Sequence, residues 1–143
     1  MAPMRAILSL LFCILLAGVA MPAEAANARQ RARLDQAQAA WSSAVRWSDF
    51  ESAWEMVDPA LRRERPLSDL ELERYRQLQV TSYREGSSGS IDDGSIVRAV
   101  EIGVINRHTQ AERSVRFRER WVWDPEAKRW WQAAGLPDFW DGK

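Results

Sequence analysis

The stretch Ile96–Trp123, IVRAVEIGVINRHTQAERSVRFRERWVW, alternates apolar and polar residues on either side of a polar middle. Alternation with a period of two is typical of strands that bury one face. The middle, Arg107–Glu112, has the composition of a hairpin loop. The stretch therefore predicts an antiparallel hairpin with one strand over Ile96–Asn106 and the next over Arg113–Trp123.

Between the first and last apolar residues of its apolar face, each strand carries one charged residue, Arg98 in the first and Glu119 in the second. A hairpin that turns in the polar loop places Glu119 opposite Arg98, or opposite Val100 with Arg98 on the diagonal. An isolated buried charge is costly, so we expect the two to pair. Two interpretations stay open. The pair is structural and lies at the rim of the sheet, or both side chains enter a cavity with Trp121 and Trp123 and bind a ligand, polar or apolar.

The opposite face of the second strand carries a basic row of three side chains, Arg116, Arg118 and Arg120. The simplest interpretation is a solvated face, with Glu101 on the neighbouring strand as a partner. The alternative is an interface, either a homodimer through the sheet or a contact with an acidic protein of the cell envelope. Trp131 and Trp140 are candidates for the same interface, because exposed Trp and Arg dominate binding energy at protein surfaces.

Residues 27–78 carry helix signals. Apolar residues recur at three- and four-residue steps, which puts Trp41, Trp47 and Trp54 on a buried stripe. Ser48–Glu51 and Ser68–Glu71 both have the spacing of a capping box, which marks helix starts.

The rest of the second half predicts further strands. Gln79–Glu85 and Lys128–Ala134 read as strands, and Gly86–Ser90 has the composition of a loop. Helices first and an antiparallel meander second indicate an α+β fold, with the N-terminal helices packed on one face of the sheet.

The N-terminus reads as a secretory signal peptide over residues 1–25. Arg5 precedes an apolar run, Ile7–Ala20, and Ala23 and Ala25 supply small residues for cleavage. We expect the mature domain to cover residues 26–143 and to be exported, to a bacterial periplasm or to the medium.

Composition excludes several functional classes. The chain has 143 residues with 20 Lys+Arg against 20 Asp+Glu, and that balance argues against a nucleic-acid partner. The lone Cys13 excludes a disulfide framework and a thiolate zinc site. We find no motif for a metal, a cofactor or a catalytic triad, and His108 has no partner nearby in the sequence.

The pattern resembles the cone-shaped superfamily of nuclear transport factor two, ketosteroid isomerase and polyketide cyclases. The resemblance rests on the first helix with Trp41 and Trp47, the segment RWSDFESAW (46–54), the segment VDPAL (57–61), and a meander ending in RWWQA (129–133). It implies a strongly curved sheet wrapped on a helix, with a cavity at the open end. The Asp or His with Tyr that its enzymes use has no match here.

These observations favour a small exported binding or interaction module without catalysis. One alternative is an isomerase- or cyclase-like enzyme with Glu119 as base and Arg98 as its orienting partner. The other is a carbohydrate or peptidoglycan contact through Trp131 and Trp140.

Overall fold

The computed structural model describes residues 21–140, which fall into two units that divide after Ala32. Helix α1 (Met21–Arg46) begins in the first unit, and the second unit holds every other element. Of the predicted signal peptide, residues 1–25, the first 20 lie outside the described residues. No helix within residues 21–140 is long and apolar enough to cross a membrane.

The second unit is α+β, as the sequence predicts. Three short helices follow α1: α2 (Phe50–Glu55), α3 (Pro59–Glu64) and α4 (Asp69–Arg76). Four strands come next: β1 (Leu78–Ser90), β2 (Ile96–Asn106), β3 (Glu112–Asp124) and β4 (Arg129–Gln132). They form one open antiparallel sheet in the order β1-β2-β3-β4.

The β2–β3 hairpin has one of the two predicted registers. Arg98 lies directly opposite Glu119, and Ile96 lies opposite Trp121. The helices cover this face, which we call the inner face. Trp41 of α1 meets Trp121 edge-on, with ring centroids 6.1 Å apart, and both are fully buried.

β1 is longer than predicted, because Gly86–Ser90 continues the strand instead of forming a loop. Irregularities between Val80 and Ser82 and between Glu85 and Ser88 shift its register against β2. Bulges of this kind let an edge strand bend while it stays paired. Glycine and serine are therefore compatible with a strand here, although they also suit a loop.

β4 ends at Gln132, two residues before the predicted end. The buried Gln132 side chain accepts from the Gly135 amide at 3.1 Å and donates to the Gly135 carbonyl at 3.0 Å. The chain turns here, and its tail folds back onto the helices. Tyr75 of α4 donates to the Pro137 carbonyl at 2.9 Å.

Two predictions at the end of α1 are wrong. Asp49, not Ser48, caps α2 and accepts from the Ser52 amide at 3.0 Å. Ser48 has a left-handed φ of 60° and its hydroxyl instead accepts from the Val80 amide at 2.8 Å. Because α1 ends at Arg46, Trp47 falls outside the helical stripe and is 83% exposed. The capping box that starts at Ser68 is confirmed.

The contrast between Trp41 and Trp47 gives a direct test of the packing. We expect Trp41→Ala to lower the free energy of unfolding by about 3–5 kcal/mol, because it leaves a cavity in the core. Trp47→Ala deletes the same type of side chain at an exposed position, so we expect it to change that free energy by less than about 0.5 kcal/mol. Urea unfolding of both variants decides the point, and equal losses would contradict the assignment.

Candidate functional site

The buried ion pair on the inner face is the most polar part of the core. Glu119 is fully buried and Arg98 is 6% exposed. Arg98 Nε donates to Glu119 Oε2 at 2.9 Å and Nη2 donates to Oε1 at 3.1 Å. A guanidinium that binds both oxygens of a carboxylate is held in one orientation, so the pair is geometrically fixed.

Two further donors complete the shell around Glu119. The Trp121 indole Nε1 donates to Oε2 at 2.9 Å, and the Tyr83 hydroxyl donates to Oε1. A carboxylate has about four lone-pair positions, and four donor groups now occupy them. Burial and the Glu119 charge raise the pKa of the Tyr83 hydroxyl above its ordinary value, so Tyr83 stays a donor. No acceptor position on Glu119 is left over for a substrate proton.

Arg98 connects this network to helix α1 and to the surface. Its Nη2 donates to the Ser42 hydroxyl of α1 at 3.1 Å, and its Nη1 lies 3.4 Å from Glu85 Oε1. Glu85 is half exposed, whereas the pair is enclosed between the sheet and α1. The pair therefore lies in the core, which corrects the expectation that it would lie at the rim.

The structure does not bring all four residues that were predicted to line a cavity into one site. Trp121 joins the pair directly, but Trp123 is half-buried and packs on Trp130 with ring centroids 5.6 Å apart. Other residues line the cavities described below. The geometry of Arg98 and Glu119 thus favours a structural role over ligand binding.

Replacing one partner of this pair tests that role. We expect Arg98→Ala to lower the free energy of unfolding by about 3–5 kcal/mol, because an uncompensated carboxylate stays buried. Arg84 is a matched control, since it also meets a glutamate across strands, Glu101 at 3.7 Å, but is 75% exposed. Arg84→Ala should cost no more than about 1 kcal/mol. Unchanged thermal unfolding of Arg98→Ala would refute the structural role.

The opposite face of the sheet, here called the outer face, carries the predicted basic row. Arg116 and Arg118 are exposed, and among residues 21–140 no carboxylate lies within 4.0 Å of either guanidinium. Arg116 lies opposite Glu101 in register, yet Glu101 contacts Arg84 instead. Arg120 differs from the other two because it pairs with Asp93.

A groove of about 500 Å³ opens on this face. Its lining includes Arg84 of β1, Ala99 of β2, and Arg116 and Arg118 of β3. Gly86 lies beside Ala99, and a Cβ built on Gly86 would stand 3.7 Å from the Ala99 Cβ. Gly86 and Ala99 therefore form a floor of small residues, Glu101 follows Ala99 on the same face of β2, and arginines on the two flanking strands form the walls.

The two tryptophans proposed for an interface lie in different places. Trp131 is opposite Val122 on the outer face, half-buried, and the Arg129 guanidinium lies over its ring at 3.8 Å. Trp140 packs on Tyr75 and under Arg74, beside a second cavity of about 370 Å³. The structure thus places Trp131 on the face of the basic row and Trp140 against α4.

Sequence reasoning missed Tyr83, Ser42 and Glu85 as members of the network. One signal for Tyr83 was present, because Val80 and Tyr83 are the apolar residues of their segment and stand three apart. Strict alternation cannot bury both, so a bulge between them was implied. Ser42 and Glu85 left no such signal.

Comparison with protein-family models, with curated proteins and with solved structures gives no match. Within residues 21–140, no group of three or more His, Cys, Asp or Glu side chains is placed to hold a metal ion. The geometry of the two sheet faces is therefore the main guide to function.

The Asp93–Arg120 contact gives a pH prediction. Hydrogen bonds from Ser95, and then the nearby Arg120 charge, lower the pKa of the Asp93 carboxyl from 3.8 to about 2. Because the folded pKa is the lower one, the interactions of the ionised Asp93 carboxylate stabilise the fold above pH 3.8 and are lost as the pH falls through about 2. Carbon-detected NMR titration should show that midpoint, and Ser95→Ala should raise it. Ser87→Ala, in an exposed stretch of β1, should not.

Proposed function

We propose that this chain is an exported, non-catalytic protein-interaction module of the bacterial cell envelope, with a curved, cone-like sheet, which acts through the outer face. The observation that carries the proposal is the contrast between the two faces. Inside, the Arg98 and Glu119 charges are satisfied by each other and by their neighbours. Outside, Arg116 and Arg118 border an open groove without a carboxylate partner among the described residues.

Export rests on the sequence. Arg5, the apolar run and the small residues at Ala23 and Ala25 have the order of a cleavable signal. A mature chain without cysteine needs no oxidation to fold in the envelope.

The enzyme alternative assigns Glu119 as a base. A general base must reach the proton that it removes, directly or through one water. Glu119 is fully buried and its acceptor positions are occupied by Arg98, Tyr83 and Trp121, so this alternative has less support.

The carbohydrate alternative needs free aromatic faces. Arg129 lies over one face of Trp131, and Arg74 lies over Trp140. The two rings also lie in different parts of the fold, so they do not form one stacking platform.

Native mass spectrometry of the mature protein, recovered gently from the envelope of cells that produce it, tests the proposal. We expect a complex with a second protein chain that Arg118→Glu weakens by roughly tenfold or more while thermal unfolding is unchanged. Arg63→Glu, the same charge reversal at an exposed position of α3, should leave the complex intact.

Three outcomes would contradict the proposal. They are a bare monomer, a complex that both variants weaken equally, and a constant small added mass in all three proteins. The last would point to a cavity ligand instead.

A further inference from the structure

The outer groove has the chemistry of a site for an acidic peptide. Resting on the proposed function, we infer that its occupant is an extended acidic segment of a partner protein, which lies over Ala99 with its carboxylates on Arg116 and Arg118.

The spacing of Arg116 and Arg118 is the first observation that favours an extended peptide. Arg116 and Arg118 are two residues apart on one strand, so both project from the same face. Alternate residues of a strand are about 6.6 Å apart. An extended peptide repeats at the same interval, so carboxylates at its alternate positions match the two guanidinia. A compact anion does not offer that repeat.

The small residues on the floor of the groove are the second observation that favours an extended peptide. A backbone can approach the sheet only where side chains are short, and Gly86 and Ala99 supply such a place. The valley is bordered by Arg84 on β1 and by the two arginines on β3. Its volume of about 500 Å³ accommodates a few residues of an extended chain.

The charge of the groove determines which charge a partner must carry. The groove lining contains three arginines and two glutamates. Glu101 contacts Arg84 at 3.7 Å, and Glu85 lies 3.4 Å from Arg98, which also binds Glu119. The lining therefore carries a net charge of +1, and its arginines without a carboxylate partner among the described residues are Arg116 and Arg118. Arg–carboxylate contacts are among the stronger hydrogen bonds in proteins.

The same charge argues against a second copy of this chain on this face. In a two-fold dimer the same patch meets itself. Where the two-fold axis passes beside Arg116 and Arg118, these arginines of one copy would face those of the other, while the nearby Glu85 and Glu101 contact arginines of their own chain. Like charges placed opposite each other oppose association.

Fluorescence anisotropy with the mature protein and a short labelled peptide of alternating glutamate and threonine tests the inference. We expect saturable binding that weakens as ionic strength rises. The matched peptide of glutamine and threonine should not bind. Arg116→Glu and Arg118→Glu should each weaken the glutamate peptide by roughly tenfold or more, and Arg63→Glu by less than about twofold.

Ala99→Leu separates a groove from general electrostatic attraction, because it fills the floor and changes no charge. We expect it to weaken peptide binding by roughly tenfold with its thermal unfolding retained. Binding that Ala99→Leu leaves unchanged would overturn the inference, as would equal binding of the glutamine peptide or no binding at all.

Two further outcomes identify a different occupant. If the protein binds phosphatidylglycerol vesicles and not the peptide, and this binding depends on Arg118, the occupant of the groove is a lipid surface. If the protein forms dimers that Arg118→Glu dissociates, the occupant is a second copy of this chain. If native mass spectrometry shows a partner complex but the peptide does not bind, the inference of an acidic peptide is refuted and the proposed function stands. If native mass spectrometry shows no partner complex, the proposed function is refuted.

Discussion

The fold depends on how one buried pair of charges is satisfied. Removing Arg98 and Glu119 from water is costly, and a bidentate contact alone does not fill every position on the carboxylate. Tyr83 from β1 and Trp121 from β3 fill the remaining positions, and Ser42 ties the guanidinium to α1. The network thus links three strands and a helix in one arrangement. A shift of β2 against β3 by one residue would separate the charges, so the pair also specifies the register.

The satisfied core is the reason for proposing that function lies on the outer face. A core whose polar groups are satisfied internally offers little to a ligand, whereas guanidinia that border a shallow groove retain their binding capacity. Arginine suits such a role because its planar donors recognise carboxylates in a defined geometry. The structural pair and the proposed interface use the same residue type, and their surroundings account for the difference.

The interior of the edge strand shows how small residues act in two ways. Gly86 leaves room beside Ala99 on the outer face, and the irregularities in β1 allow both Val80 and Tyr83 to point inward. The stretch Gly86–Ser90 therefore contributes to the sheet and to the groove. Its composition alone resembles a loop because glycine and serine have no strong strand preference.

The sequence by itself determined the α+β class, limited the β2–β3 register to two options, and predicted the pairing of Arg98 with Glu119. Strand alternation and the cost of a lone buried charge are local rules that do not depend on the rest of the fold. Only the tertiary structure decided that the pair lies in the core, that Tyr83 and Ser42 complete it, and that Trp47 is exposed. Those outcomes depend on where α1 ends and on how β1 shifts at its bulges. Both are set by contacts between residues far apart in the chain, such as the bond from the Val80 amide to Ser48.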